Sequence, residues 1–261
     1  LKEQDVETVR MQRKQGKTAI TYIELLDGDR KFGEDFLNVL EGFQLSDGDL
    51  QYLAGFDCVH MAVWGQCDSC LGKLPQEVKI SYDFSNRYGE EKIERLAPYI
   101  DYVFFSCEKD DAFTRDLLKR VKEQGAGLVI ATLGENGSVA YDGKEFVVSG
   151  IVEADVVDTL GAGDSYIAGF LNKALEGEPL KRCMEAGAKK AALTISHFGD
   201  WYKTDNYKKR ERKRDMLKLN KEEVHFLVTA EMKKEVADFL EAVDAKIAPV
   251  LEYIKENQVE R

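Results

Sequence analysis

The sequence predicts an α/β protein, a three-layer α/β/α sandwich built on a mainly parallel sheet. Three observations lead there. Short apolar runs rich in β-branched and aromatic residues alternate with helical stretches from Cys58 to Ser196, which is the pattern of strand–helix units. Gly-bearing loops follow two of these runs, Gly134-Glu135-Asn136-Gly137 after GLVIATL and DTLGAGD after Val156-Val157, and ligands in such sheets sit at the carboxyl ends of the strands. The chain has 261 residues, 44% of them hydrophobic, enough for one large α/β domain or two smaller ones.

Taken in order, residues 1–17 are charged and without a clear period. Thr18–Leu26 is β-branched and aromatic and reads as a strand. Asp27-Gly28 is a hairpin turn, from which Arg30–Gly33 returns, while 34–42 stays ambiguous. Ser46 is placed to cap a helix over Asp49–Leu53. Cys58–Trp64, Val78–Phe84, Tyr102–Phe105 and Gly127–Leu133 read as buried strands, and Glu90–Leu96 and Asp110–Gln124 as the helices between them. Ser138–Tyr141 and Glu145–Val148 form a hairpin around Asp142-Gly143, Val156-Val157 is a further short strand, and Leu180–Ser196 is the last helix of this block. His197, ahead of Phe198-Gly199-Asp200-Trp201, reads as a capping or packing residue, because no Cys or carboxylate has metal spacing to it.

Composition narrows the class. No apolar run approaches the roughly 18 residues of a membrane span, and the N-terminus carries no signal pattern. The five cysteines at 58, 67, 70, 107 and 183 are scattered and odd in number, as expected of reduced thiols in a cytoplasmic protein. Cys67-Asp-Ser-Cys70 is a CxxC with no second pair beside it; ordinary thiols and a metal or redox role both fit. A net charge of −11 argues against bulk nucleic-acid binding. Within it, residues 203–215 hold seven Lys/Arg against three Asp/Glu, which reads as a linker or as a basic patch.

Chemistry concentrates in Val157–Phe170, VDTLGAGDSYIAGF. Glycines at 161 and 163 let the backbone bend and let a ligand approach it. The first amides of the following helix lack partners and sit at the positive end of its dipole, so they make an anion site. Asp164 places a carboxylate in that site, and the economical reason is removal of a proton from an attacking hydroxyl. GAGD alone equally fits a turn with an Asp cap. The longer string DTxGAGDxFxAGF closely resembles the second signature of the ribokinase-like (PfkB-type) sugar kinases, with Tyr166 where Phe is usual.

That resemblance runs from about residue 1 to Trp201 and implies a ribokinase-like sandwich with a small β lid hairpin at about 18–33. It implies ATP and Mg²⁺ as cofactors and a small sugar as substrate. Thr132, Leu133, Gly134, Glu135, Asn136 and Gly137, within TLGENGS, match the loop along the nucleotide phosphates. Asp164 matches the catalytic base and Gly161, Ala162 and Gly163 the anion hole, with Gly163 also against the nucleotide. Asp158 and the Leu160 carbonyl match positions that hold a monovalent cation such as K⁺. ELLDGDRKFGED, FDCVHMAVWG and YDGKEF are most similar to members that phosphorylate the 6-hydroxyl of fructosamines. Kinases for a nucleoside, ribose or fructose are the alternative within the family. A truncated, catalytically dead chain serving as a binding or dimerisation module is the alternative outside it. The hairpin resembles one that pairs two subunits, implying a homodimer.

Two departures stand out. The family's first strand, its sugar-gripping Asp and a GGxxxN-type motif have no counterpart, so half of the sugar pocket is expected upstream of Leu1. The NxxE motif that organises Mg²⁺ is replaced by Ser106-Cys107-Glu108-Lys109, with Asp110 and Asp111 just after. Three segments are therefore expected: a kinase domain over 1–202, a basic linker over 203–215 and a helical tail over 216–261. In the tail Met232, Val236, Phe239, Leu240, Val243 and Ile247 have amphipathic spacing and Pro249 interrupts it. The tail resembles the start of SIS-type sugar-phosphate deglycases. KKRERKRD directly before Met216 is what a purine-rich ribosome-binding site gives when translated, which suggests two neighbouring genes read as one chain.

Overall fold

The computed structural model describes residues 6–26, 29–89 and 91–197. The Asp27-Gly28 turn, the end at 198–201, the linker 203–215 and the tail 216–261 lie outside the described residues.

Strands β1 (Ile20–Leu26) and β2 (Asp29–Phe36) pair antiparallel as a separate two-stranded hairpin. A six-stranded sheet follows, with β3 (Cys58–Ala62), β4 (Lys79–Asp83), β5 (Tyr102–Ser106), β6 (Leu128–Thr132), β7 (Ser138–Tyr141) and β8 (Phe146–Ser149) side by side in chain order. The first four run parallel, and β7 and β8 turn back antiparallel. Parallel neighbours added in sequence, each through a right-handed crossover, place their connecting helices on one face. That face carries α1 (Asp47–Leu53), α2 (Lys92–Leu96) and α3 (Ala112–Glu123), while α4 (Ala162–Leu175) and α5 (Leu180–Ile195) cover the other. Helix α1 opens on a reciprocal cap, in which Asp49 N–H donates to Ser46 Oγ and Ser46 N–H to the Asp49 carboxylate.

Strand alternation divides the core in two. Val59, Met61, Ile80, Tyr82, Val103, Phe105, Val129 and Ala131 meet Ile93 and Leu96 of α2 and Leu117, Leu118 and Val121 of α3. Phe104, Ile130 and Ala140 meet Tyr166, Ile167 and Phe170 of α4 and Cys183 and Met184 of α5. The α4/α5 side is thus apolar over β5–β7. On β3 and β4 the same alternation gives that side His60, Ser81 and Asp83 instead, a polar strip beside a greasy one.

Helices α4 and α5 approach to backbone contact. A Cβ at Gly169 would lie 2.7 Å from the Ala186 carbonyl oxygen, and one at Gly187 would lie 2.9 Å from the Tyr166 carbonyl oxygen and ring. The small residues near 186–188 are what permit this.

The fold agrees with the predicted α/β sandwich, and most elements fall within a residue or two of expectation. Val156-Val157 is a correction. Neither residue belongs to a strand, and they are 65% and 60% exposed. The N–H groups of Val157 and Asp158 donate to the Ile195 carbonyl, at 2.8 and 3.2 Å, so this segment is fastened to the end of α5 rather than to a sheet edge. The DTLGAGD loop therefore does not follow a strand, and only the 134–137 loop does. The structure also starts α4 at Ala162, so Asp164 is its third residue and not its opener.

Candidate active site

The 132–137 loop leaves the carboxyl end of β6. Thr132 Oγ1 donates to the Phe105 carbonyl (3.3 Å) and Leu133 is buried. Leu133 N–H donates to the Gly137 carbonyl at 2.8 Å, closing a tight loop whose residues 134–136 are exposed. Gly134 (φ 56°) and Gly137 (φ 87°) both take left-handed conformations. A Cβ on Gly137 would lie 2.1 Å from the Ser149 carbonyl oxygen, so only glycine lets the loop return into β7 beside β8. Asn136 Nδ2 donates to the Glu108 carbonyl (3.1 Å), which ties the loop to the end of β5.

Gly161 caps α4 at φ 74°. Ala162 N–H donates to the Thr159 carbonyl (3.3 Å), and Ser165 N–H closes the first helical bond to the Gly161 carbonyl (2.9 Å). Among the described residues the amides of Gly163 and Asp164 have no acceptor. A Cβ built on Gly163 meets nothing within 4 Å, and Gly163 and Asp164 are exposed. The arrangement is an open turn of donors with a carboxylate at its edge, suited to receiving an anionic oxygen while a proton leaves a neighbouring hydroxyl. The Asp164 carboxylate is not turned into the interior.

Two polar groups of the sheet lie within reach of its charge. Asp164 acts electrostatically on Asp83, at the carboxyl end of β4, and on His60 of β3. Asp83 is half-buried; burial pushes its carboxyl up to about 6, against a hydrogen bond from Ser85 N–H (2.7 Å), and the Asp164 charge pushes it further the same way. His60 keeps much of its surface exposed, yet desolvation of its ring holds it below its usual range, opposed by Asp164, and its Nδ1 lies 3.0 Å from Ser81 Oγ. The turn after β4 holds Ser85 at φ 51° and brings the Arg87 guanidinium over the Trp64 ring. Asp83, Ser81 and His60 were missed by the sequence reading. A lone Asp before Ser-Asn reads as a turn signal, and only the two-residue alternation of β4 exposes where it faces.

Asp158 is buried and its Oδ1 accepts from Leu160 N–H at 2.9 Å. Of the carboxylates near the replaced NxxE motif, Asp110 is paired with Arg115 at 2.7 and 2.8 Å and Asp111 caps α3 by accepting from Thr114 N–H at 3.0 Å. Among the described residues no group of three or more His, Cys, Asp or Glu is arranged to hold a metal, and no helix is long and apolar enough to cross a membrane. Cys67 and Cys70 are free thiols, Cys70 buried, with burial raising both. His197 behaves as a cap, its Nδ1 within 2.8–3.0 Å of Ser196 Oγ and the Leu193 carbonyl.

Besides the apolar packing of α4 on the sheet, a buried hydrogen bond links the two halves of the site: the Tyr166 hydroxyl donates to Ser138 Oγ at 2.8 Å, tying α4 to the first residue after the loop.

Similarity to known proteins agrees with this arrangement. The family model described as pfkB family carbohydrate kinase matches residues 1–206. The chain is 41% identical over 189 residues to the fructoselysine 6-kinase of Shigella flexneri and 40% identical over 189 residues to that of Escherichia coli (strain K12), covering 72% of this chain and 72% of each relative. The crystal structure of ribokinase from Thermotoga maritima superposes with a TM-score of 0.57 at 19% identity, over 72% of this chain and 66% of that one. The chain thus spans about two thirds of the length of that structure. With the sandwich, the glycine loop after β6 and the GAGD turn at the head of α4 all in place, the chain belongs to the pfkB family of carbohydrate kinases.

Proposed function

We propose that this chain carries the phosphoryl-transfer centre of an ATP-dependent kinase acting on a small sugar, at the 6-hydroxyl of fructoselysine or a related fructosamine. The observation that carries this is the exposed Asp164 beside the free amides of Gly163 and Asp164. The identity of 41% to a fructoselysine 6-kinase favours a fructosamine over a nucleoside, ribose or fructose.

In this reading the loop Thr132–Gly137 lies along the nucleotide phosphates, and its glycines leave the room that a side chain would fill. Asp164 accepts the proton of the 6-hydroxyl as the new oxygen–phosphorus bond forms and the bond to the departing ADP oxygen breaks. The Gly161–Asp164 turn donates to the phosphoryl oxygens as their charge shifts, a preorganised role typical of phosphoryl transfer. Asp158 and the Leu160 carbonyl are the place for a monovalent cation, which would offset charge near the turn. Asp110 and Asp111, just after the replaced NxxE motif, are engaged by Arg115 and by the head of α3 and so are not free to hold Mg²⁺ directly.

Pairing of two copies in a cytoplasmic homodimer through the hairpin is part of the proposal. Tyr22 and Phe36 are exposed at 59% and 45% on it and touch edge to face, 5.9 Å between centroids. The same reading takes residues 1–202 as the kinase segment, 203–215 as a linker and 216–261 as a tail. Sequencing the DNA across 196–220 decides whether tail and kinase are one gene.

The test of the chemistry is Asp164→Asn. ATP binding is retained and turnover on fructoselysine falls by ~10²–10⁴, the usual worth of a general base. Near-normal turnover removes Asp164 from the chemistry.

A further inference from the structure

Tyr166 stands where the family string usually has Phe, so its hydroxyl is an addition that packing alone does not require. Both partners of its hydrogen bond are buried, Tyr166 at 5% and Ser138 at 0% exposure. The ring is held in place by its surroundings: Phe170 stacks beside it at 6.4 Å, and a Cβ on Gly187 would lie 2.9 Å from two of its ring carbons. That leaves the hydroxyl a single aim, at Ser138. Ser138 itself cannot shift, because its backbone pairs with Thr132 on one side and Ser149 on the other. Asp164 is two residues before Tyr166, and Gly137 is one before Ser138. The bond therefore couples the loop to the helix turn within a few covalent links of each.

We propose that Tyr166 is a positioning residue: its hydroxyl, through Ser138, fixes the spacing between the 134–137 loop and the 161–164 turn, so that a triphosphate spans both at once. This rests on the nucleotide-site reading above. A ligand touching both elements feels the bond; one touching neither, or only one, does not. A hydroxyl left alone in the core loses its partner outright, whereas removing both hydroxyls is nearly neutral for stability.

The experiment compares the full chain with Tyr166→Phe, Ser138→Ala and the double variant Tyr166→Phe/Ser138→Ala. It measures ATP and adenosine binding by calorimetry, with thermal melting alongside. Tyr166→Phe folds, since Phe is the residue the family string usually holds there. Expected are a roughly 5- to 10-fold loss of ATP affinity in all three variants, adenosine affinity within twofold, and melting restored toward wild type in the double variant while ATP affinity stays low. ATP affinity that recovers together with melting, or never changes, reduces the pair to a packing contact and overturns the proposal. Failure of the wild-type chain to bind ATP overturns the nucleotide-site reading, and this inference with it. Normal ATP binding by Tyr166→Phe overturns this inference alone.

Discussion

Asp83→Asn should stabilise the protein, and by an amount that depends on pH. Asp83 is half-buried at the end of β4, its carboxylate accepts a hydrogen bond from Ser85 N–H, and a second carboxylate, Asp164, adds its charge. Its carboxyl is raised to about 6 from an ordinary 3.8. A difference of about two units corresponds to roughly 3 kcal/mol at ~1.4 kcal/mol per unit. The sign follows from proton counting. Above about pH 6 both native and unfolded chains carry the charge, and the native state bears the cost of keeping it away from water. Between about 6 and 3.8 the native state holds a proton that the unfolded chain has released, so stability rises as pH falls through this window and levels off below it. Asparagine is neutral throughout and keeps an oxygen for Ser85 N–H, though a weaker acceptor. The gain at about pH 7.5 is therefore ~1–3 kcal/mol, shrinking to below ~1 kcal/mol near pH 4.5. Urea unfolding of wild type and variant at both pH values measures it, with unchanged slopes required for the comparison. A variant less stable at the higher pH, or a gap that does not move with pH, refutes the reasoning.

Two further outcomes follow from the geometry. Gly163→Ala adds a methyl group that meets nothing within 4 Å, so melting should hold within about 2 °C while turnover drops at least ~10-fold, because the methyl fills the approach to the free amides; loss of both together would mean that the turn is structural only. Phe170→Ala removes a fully buried ring that touches Tyr102 and Phe104 edge-on, and denaturant unfolding should show a loss of ~3–5 kcal/mol.

What could be read in the sequence was whatever is local. GLVIATL and YVFF announce strands because a buried parallel strand needs apolar residues on both faces, and Gly161 announces a bent backbone because few other residues take its φ of 74°; Gly163, expected to bend likewise, lies instead in ordinary helical backbone within α4. Val156-Val157 misled for the complementary reason. β-Branched residues favour extended backbone, but a strand also needs a neighbour, and here the available acceptor was the last carbonyl of α5. Asp83 stayed hidden because its importance is relational: it matters through Asp164, 81 positions later in the chain. Tyr166 read as a mild stand-in for Phe until Ser138, 28 residues away, gave its hydroxyl a partner. The missing NxxE pattern was visible, but not that Asp110 and Asp111 were already occupied by Arg115 and by the head of α3.

The glycine contacts between α4 and α5 bear on how such a centre works. Two helices that approach this closely at Gly169 and Gly187 cannot easily slide past or roll over each other, since each glycine faces a carbonyl oxygen of the other helix with no Cβ of its own between. In the reaction proposed above, the Asp164 carboxylate would thus be an anvil rather than a hammer: hydroxyl and phosphorus would be the parts that travel to it.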